Sequence, residues 1–196
     1  MINYPSMDRL AELQQLIADF AKVKRAVPLA DASDAENDVE HSYGLAMTCW
    51  YLHDKIAPAL DLSKILRYAL GHDIVEIHAG DTYPWDEAAV ATKYEREKAA
   101  MRQIEKDWDD FPMIVEFAEG YADKIDEEAL FVYAVDKILP ILMIELADAK
   151  TIWNKKQLTL KMEEDNKVTM LKSDIVAPYY TKLLNWLDER GNISKV

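Results

Sequence analysis

The chain has 196 residues, half of them hydrophobic, with 36 acidic against 23 basic side chains and a net charge of -13. That is enough for one domain with a sizeable core, and too acidic for a nucleic-acid polymer as partner, because phosphate backbones are held by a basic face. Gly and Pro are sparse, which favours helix; Cys49 is the only cysteine, so no internal disulfide forms and a reducing cytoplasm is expected.

Apolar residues recur at helical spacing almost everywhere. The pattern predicts helices over roughly 6–24, 38–57, 62–75, 86–108, 111–122, 126–144, 144–162 and 168–189, with strands minor or absent. The opening Met-Ile-Asn-Tyr-Pro lacks the basic region and apolar run of a signal peptide. The most apolar window, Ala129 to Ala147, is broken by Asp136, Lys137, Pro140 and Glu145, so it reads as buried core rather than a membrane span. With no internal repeat and no linker, the expectation is an all-α, single-domain helical bundle over residues 1–196.

The longest non-helical piece runs from Arg25 to Glu36 and contains Pro28. Asn37 followed by Glu40 has the spacing of a capping box, which starts a helix just before His41. His41 shares a stripe with Leu45, Thr48, Cys49 and Leu52. The doublet His53-Asp54 near the end of that helix, beside Lys55 and Pro58, has no acidic residue three positions on and reads as structural. On the next helix Ile65, Leu66, Ala69 and Leu70 define the inner face; His72 and Asp73 follow Ala69 by three and four and point the same way.

Glu76 lies a turn beyond the doublet, at a helix C-terminus that disfavours an anion. It is either a surface residue or a carboxylate standing near bound water. Gly80 permits a sharp turn, after which Asp81 either caps the next segment or contacts substrate. His78 departs from the spacing of the others and lies at best behind them. Asp136 falls in the middle of the stripe formed by Ala129, Val132, Tyr133, Leu139 and Met143.

Taken alone, a histidine on an apolar stripe is ordinarily a core residue bonded to a backbone carbonyl, and an inward Asp is ordinarily a cap or an ion-pair partner. Here three helices place His41, His72 with Asp73, and Asp136 on faces that ought to be apolar. This mixed N/O set suits one divalent ion, Mn, Co, Ni, Fe or Zn; Mg fits two nitrogens less well. Such an ion lowers the pKa of bound water and polarises a phosphoryl oxygen.

The order His41, His72-Asp73, Asp136 resembles the HD superfamily of metal-dependent phosphohydrolases. The segments Glu36-Asn37-Asp-Val-Glu40-His41-Ser42, His72-Asp73-Ile-Val-Glu76 with Gly80-Asp81, and Val135-Asp136-Lys137 are similar to the branch that includes bacterial 5'-deoxynucleotidases. The likeness covers about residues 20–145; the helices of 146–196 carry no matching motif. It implies an HD-type helical bundle and release of phosphate from nucleoside 5'-monophosphates, deoxyribonucleotides among them. It also implies metal ligands His41, His72, Asp73 and Asp136, with Glu76 assisting the attacking water and Asp81 contacting substrate or its water network.

That branch carries an Arg, commonly followed by Trp, some fifteen residues before the first His; here Arg25-Ala26 stands in its place without the Trp. Arg25 is then a phosphate clamp, or a solvated member of Lys22-Val-Lys24-Arg25. Hydrolysis of an alarmone or a nucleoside triphosphate is the alternative reaction, disfavoured by the few basic residues near the motifs. A metal-dependent nucleotide-binding module without turnover is the non-enzymatic alternative. The aromatics Trp153, Tyr179, Tyr180 and Trp186 read as core or dimer contacts, and a cytoplasmic homodimer without membrane association is expected.

Overall fold

The computed structural model describes residues 4–82, 86–170 and 172–195, with backbone alone over 166–170. Helix α1 (Met7–Phe20) starts at Ser6, whose hydroxyl accepts from the Arg9 amide at 3.0 Å. It ends at buried Phe20, short of the expected residue 24. The chain turns there and residues Lys24–Pro28 (β1) pair antiparallel with Ala35–Asn37 (β2), Lys24 opposite Asn37 and Pro28 opposite Ala35. The expected loop is thus a small hairpin. Its tip is closed by the Leu29 amide donating to the Asp34 carbonyl and by Asp31 accepting from Ser33.

Helix α2 (Asp38–Ile56) begins with the capping box the spacing predicts: Asn37 Oδ1 accepts from the amides of Val39 and Glu40, and Glu40 accepts from the Asn37 amide at 2.9 Å. Its buried face carries Asp38, His41, Ser42, Leu45, Ala46, Cys49 and Leu52. Helix α3 (Leu62–Gly71) is shorter than the expected 62–75, because successive tight turns follow it: the Ile74 amide donates to the Gly71 carbonyl and the Glu76 amide to the Asp73 carbonyl. A single helical turn, α4 (Glu76–Ala79), then ends at Gly80, whose φ of 72° is the left-handed backbone that glycine adopts without strain.

Helix α5 (Glu87–Asp107), α6 (Met113–Asp123) and α7 (Glu127–Leu146) follow, close to their expected ranges. The expected helix 144–162 is instead two. α8 (Ala149–Lys156) stops at Gln157, which has φ 54°, and α9 (Leu160–Met170) starts after it. The last helix, α10 (Ala177–Arg190), begins later than the expected 168; Pro178, lacking an amide hydrogen, sits in its first turn. Leu171, inside that expected helix, lies outside the described residues.

Among the described residues the fold is all-α apart from the hairpin and an isolated bridge between Thr159 and Ser194. Helix α7 runs through the main core, burying Phe131, Val132, Val135, Ile138 and Ile141 against Leu45, Ile65 and Tyr68. The C-terminal helices share that core through Trp153, Tyr180 and Leu187. Buried Glu145 ties them together, accepting from Trp153 Nε1 at 2.6 Å, Arg190 Nε at 2.7 Å and Asn192 Nδ2 at 3.0 Å. Trp153 and Tyr180 are therefore core residues, and Tyr179 and Trp186 pack partly buried against the same cluster. Among the described residues no helix is long and apolar enough to cross a membrane.

Candidate metal centre

Four elements deliver the candidate residues to one place. The hairpin brings Arg25 and Glu36, α2 brings Asp38 and His41, the end of α3 and its turns bring His72, Asp73 and Glu76, and α7 brings Asp136. Ligand atoms of His41, His72 and Asp73 lie within 4.8 Å of one another, as do those of Asp38, Asp73 and Glu76. His41 Nε2 is 2.9 Å from Asp136 Oδ1, which joins the fourth expected residue to the group. His72 Nδ1 is 3.0 Å from the Ala69 carbonyl, the contact expected of an N–H donor, so its Nε2 presents a bare lone pair.

The centre leaves several buried polar atoms unpaired, Arg25 Nε and Ser42 Oγ among them. His72 Nε2, Asp38 Oδ2 and Glu76 Oε2 are buried without a hydrogen-bond partner. His72 Nε2 lies 2.8 Å from Asp73 Oδ2 and His41 Nδ1 lies 3.3 Å from Glu36 Oε2, distances of ion pairs, yet neither is directed as a hydrogen bond. An unsatisfied buried polar atom costs about 1–3 kcal/mol. Two imidazoles with carboxylates are a donor set that a divalent cation accepts, and such an ion would satisfy the buried lone pair of His72 Nε2. The residues fit a metal.

Arg25 is the principal positive charge among these acids. Its Nη1 donates to Asp73 Oδ2 at 2.7 Å and to Asp38 Oδ1 at 3.1 Å, and its Nε lies 3.7 Å from Glu36 Oε2. It is not the solvated residue that its Lys-rich neighbourhood suggests; the hairpin turns it inward. Asp136 Oδ2 accepts from the Tyr121 hydroxyl at 2.9 Å and from Lys137 Nζ at 2.7 Å.

These partners set the protonation states. Burial pushes Glu76 up to about 10, reinforced by the charges of Asp73, Asp38 and Asp81 and opposed by Arg25. Asp38 rises to about 6 from burial and Asp73. Burial opposes the charged form of His41, but Asp136 and Glu36 outweigh it and raise it to about 9. Burial also works against the Asp73 and Asp136 anions, but their neighbours, His72 and Arg25 for the first and Lys137 and His41 for the second, hold both below the usual carboxylate range. Without a metal the cluster keeps protons on Glu76 and His41 that a bound cation would displace.

The centre opens into a cavity of about 780 Å³ lined by Arg25, His72, Asp73, Glu76, Asp81 and Asp136 among others. Asp81 faces it and does not cap α5, since Asp86 accepts from the Ala89 amide there. The turn bearing Asp81 is pinned by Arg96, which donates to the Ala79 carbonyl and, at 2.8 Å, to the hydroxyl of buried Thr82. The walls also carry Lys93, Lys98, Lys124, Lys137 and Lys156. This corrects the expectation of few basic residues near the motifs: most of them are remote in sequence, and folding gathers them.

The other histidines lie elsewhere. His53 Nε2 is 2.9 Å from the Leu60 carbonyl, Asp54 pairs with Lys55, and His78 is exposed. Sequence reasoning passed over Glu36, Asp38, Tyr121 and Lys137. Asp38 was legible, standing three residues before His41 on the same helical face. Nothing local marks Tyr121, which reaches Asp136 from a different helix.

The HD domain family model matches residues 17–176. Curated relatives named 5'-deoxynucleotidase HDDC2 include that of Xenopus laevis, 27% identical over 136 residues, which are 68% of this chain and 66% of the relative. That of Mus musculus is 32% identical over 109 residues, 55% of this chain and 53% of the relative. The matched part thus spans about half to two thirds of these relatives. Among solved structures, the predicted metal-dependent phosphohydrolase of Magnetospirillum magnetotacticum MS-1 superposes with a TM-score of 0.80 at 27% identity, covering 99% of this chain and 100% of its own. The PH0347 protein of Pyrococcus horikoshii OT3 shares the fold, with a TM-score of 0.63 at 21% identity over 91% of this chain and 98% of its own. With a family match over most of its length and His41, His72-Asp73 and Asp136 brought close together, the chain belongs to the HD domain family.

Proposed function

We propose that this chain is a divalent-metal-dependent phosphohydrolase that removes phosphate from nucleoside 5'-monophosphates. The observation that carries the reading is the set of buried, partnerless polar atoms on His72, Asp38 and Glu76, of which His72 and Glu76 line, with Arg25, a nucleotide-sized cavity. The likeness to 5'-deoxynucleotidases supports the substrate class.

His41, His72, Asp73 and Asp136 would hold one ion, Mn, Co, Ni, Fe or Zn in preference to Mg. Bound there, the ion would supply a water of lowered pKa and polarise a phosphoryl oxygen. Freed of its proton by the bound cation, Glu76 would take the proton of the attacking water. Arg25 orients Asp73 and Asp38 through Nη1 and offers Nη2 to the phosphate, its Nε being buried beside Glu36. Asp81, at the cavity wall, contacts the substrate or its waters. Ala26 in place of an aromatic leaves the sugar side open, so ribo- and deoxyribonucleotides are both turned over.

The core shared by α2, α3 and α6 through α10 supports reading residues 1–196 as one domain. The sole, buried Cys49 accords with a reducing cytoplasm, and the working unit is a homodimer. The test is phosphate release from nucleoside mono-, di- and triphosphates after chelation and re-addition of Mn, Co, Zn or Mg. Metal-dependent release from monophosphates supports the reading; no release from any of them with metal bound overturns it. The gathered lysines favour a second reading, hydrolysis of a more highly phosphorylated substrate, which pyrophosphate or triphosphate among the products would establish.

A further inference from the structure

The outward face of α2 carries a run of exposed apolar side chains. Tyr43, Met47, Trp50 and Tyr51 are 66%, 45%, 52% and 64% exposed, and they succeed one another at helical spacing, so they form one stripe. From His41 to His53 there is no Asp, Glu, Lys or Arg, in a chain that is 30% charged. The exposed apolar residues of α1 (Met7, Leu10 and Ile17) differ, being separated by Asp8, Glu12 and Gln14. The opposite face of α2 is buried and holds Asp38 and His41, so the exposed stripe has no part in the cavity.

Gly44 stands within the stripe. Glycine is a poor helix former, and a Cβ built there meets nothing within 4 Å in this chain. The chain's own packing gives no reason for a glycine at this position. A second surface lying close against the helix would give one.

We propose that α2 packs against α2 of a second copy of this chain, antiparallel about a two-fold axis beside Met47 and Thr48, with Gly44 receiving the Tyr51 ring of the other copy. The inference rests on the homodimer reading above and names its surface. The area is sufficient. Aromatic side chains carry about 150–250 Å² each, so at these exposures the three aromatics and Met47 leave roughly 400–500 Å² in water per copy. Two copies bury about twice that, and the rim of Glu40, Thr48, Asp54 and Lys55 takes the sum past the roughly 1,000 Å² that marks a specific interface. The charges agree: in this register Glu40 near one end of the stripe meets Lys55 of the other copy. A two-fold contact of this kind is self-complementary and closes on itself.

The experiment is sedimentation equilibrium of the full-length chain. The parent should show twice the 22.5 kDa chain mass. Trp50→Glu with Tyr51→Glu, and separately Gly44→Leu, should sediment as monomers or with a dissociation constant raised at least about 100-fold. Circular dichroism should show both variants folded, since the altered side chains lie outside the core. Leu10→Glu, on α1, should stay dimeric. A parent of single-chain mass overturns both the homodimer and its surface. A dimeric parent whose α2 variants keep the parental dissociation constant overturns the α2 surface alone and leaves the homodimer reading intact.

Discussion

Glu76 and Glu145 are equally buried, each 4% exposed, and they show two ways of placing a carboxylate inside a protein. Glu145 is surrounded by donors: an indole, a guanidinium and an amide fill its lone pairs and bind α8 and α10 to α7. Glu76 is surrounded by other carboxylates and keeps an oxygen with no partner. The first arrangement is complete and holds helices together. The second is costly until something positive arrives, and it lies on a cavity wall. Burial alone does not separate a structural acid from a functional one; the sign of its neighbours does.

The contrast is broken most severely at the metal centre. Asp73→Ala should remove bound metal and lower kcat/KM together, by more than about 100-fold, read by elemental analysis beside phosphate release. Glu76→Gln should keep the metal while kcat falls about 10²- to 10⁴-fold; a variant with full turnover would remove Glu76 from its role. Glu145→Ala should leave KM and metal content unchanged and destabilise the fold by about 1–3 kcal/mol in urea denaturation. Arg190 is half exposed and regains water, which keeps the loss below that of a fully buried pair.

A subtler test uses pH. Glu76 binds its proton more tightly in the folded protein, with a pKa near 10, so its contribution to stability is lost as pH rises above the ordinary carboxylate value. His41, raised to about 9, stabilises most below its ordinary value of 6.5 and loses that contribution as pH rises through 9. Both signs agree: the Tm of chelated protein should fall between about pH 6.5 and 9. Saturating metal should flatten the slope, and Glu76→Gln should reduce it. The smallest effect is expected at the decoy doublet, where His53→Ala should cost about 1 kcal/mol for its bond to the Leu60 carbonyl and leave metal content untouched.

The helical periodicity and the capping box at Asn37 made α2, α5 and α7 legible, as did the four candidate ligands, because polar residues on apolar stripes are conspicuous. The hairpin was not. Residues 24–28 carry no alternation long enough to read as a strand, and their partner is only three residues long. Missing it concealed the inward course of Arg25, which depends on strand pairing. The lysines around the cavity were illegible for a related reason: Lys93 on α5, Lys124 just past α6 and Lys156 on α8 are far apart in sequence, and only tertiary structure makes them neighbours. The division of the C-terminal region at Gln157 was hidden because a left-handed non-glycine residue leaves no compositional mark.

The hairpin that aims Arg25 is fastened from the far end of the chain: Lys156 Nζ, on α8, donates to the Ala26 carbonyl at 2.7 Å. For protein engineering this makes the C-terminal region a poor place to cut or exchange modules. A chain ended after α7 would retain every proposed metal ligand and still lose the tether on the strand that points its arginine. The cut would also strip Trp153, Tyr180 and Leu187 from the core, whereas the tether lost alone, as in Lys156→Ala, would surface as weakened grip on the phosphate.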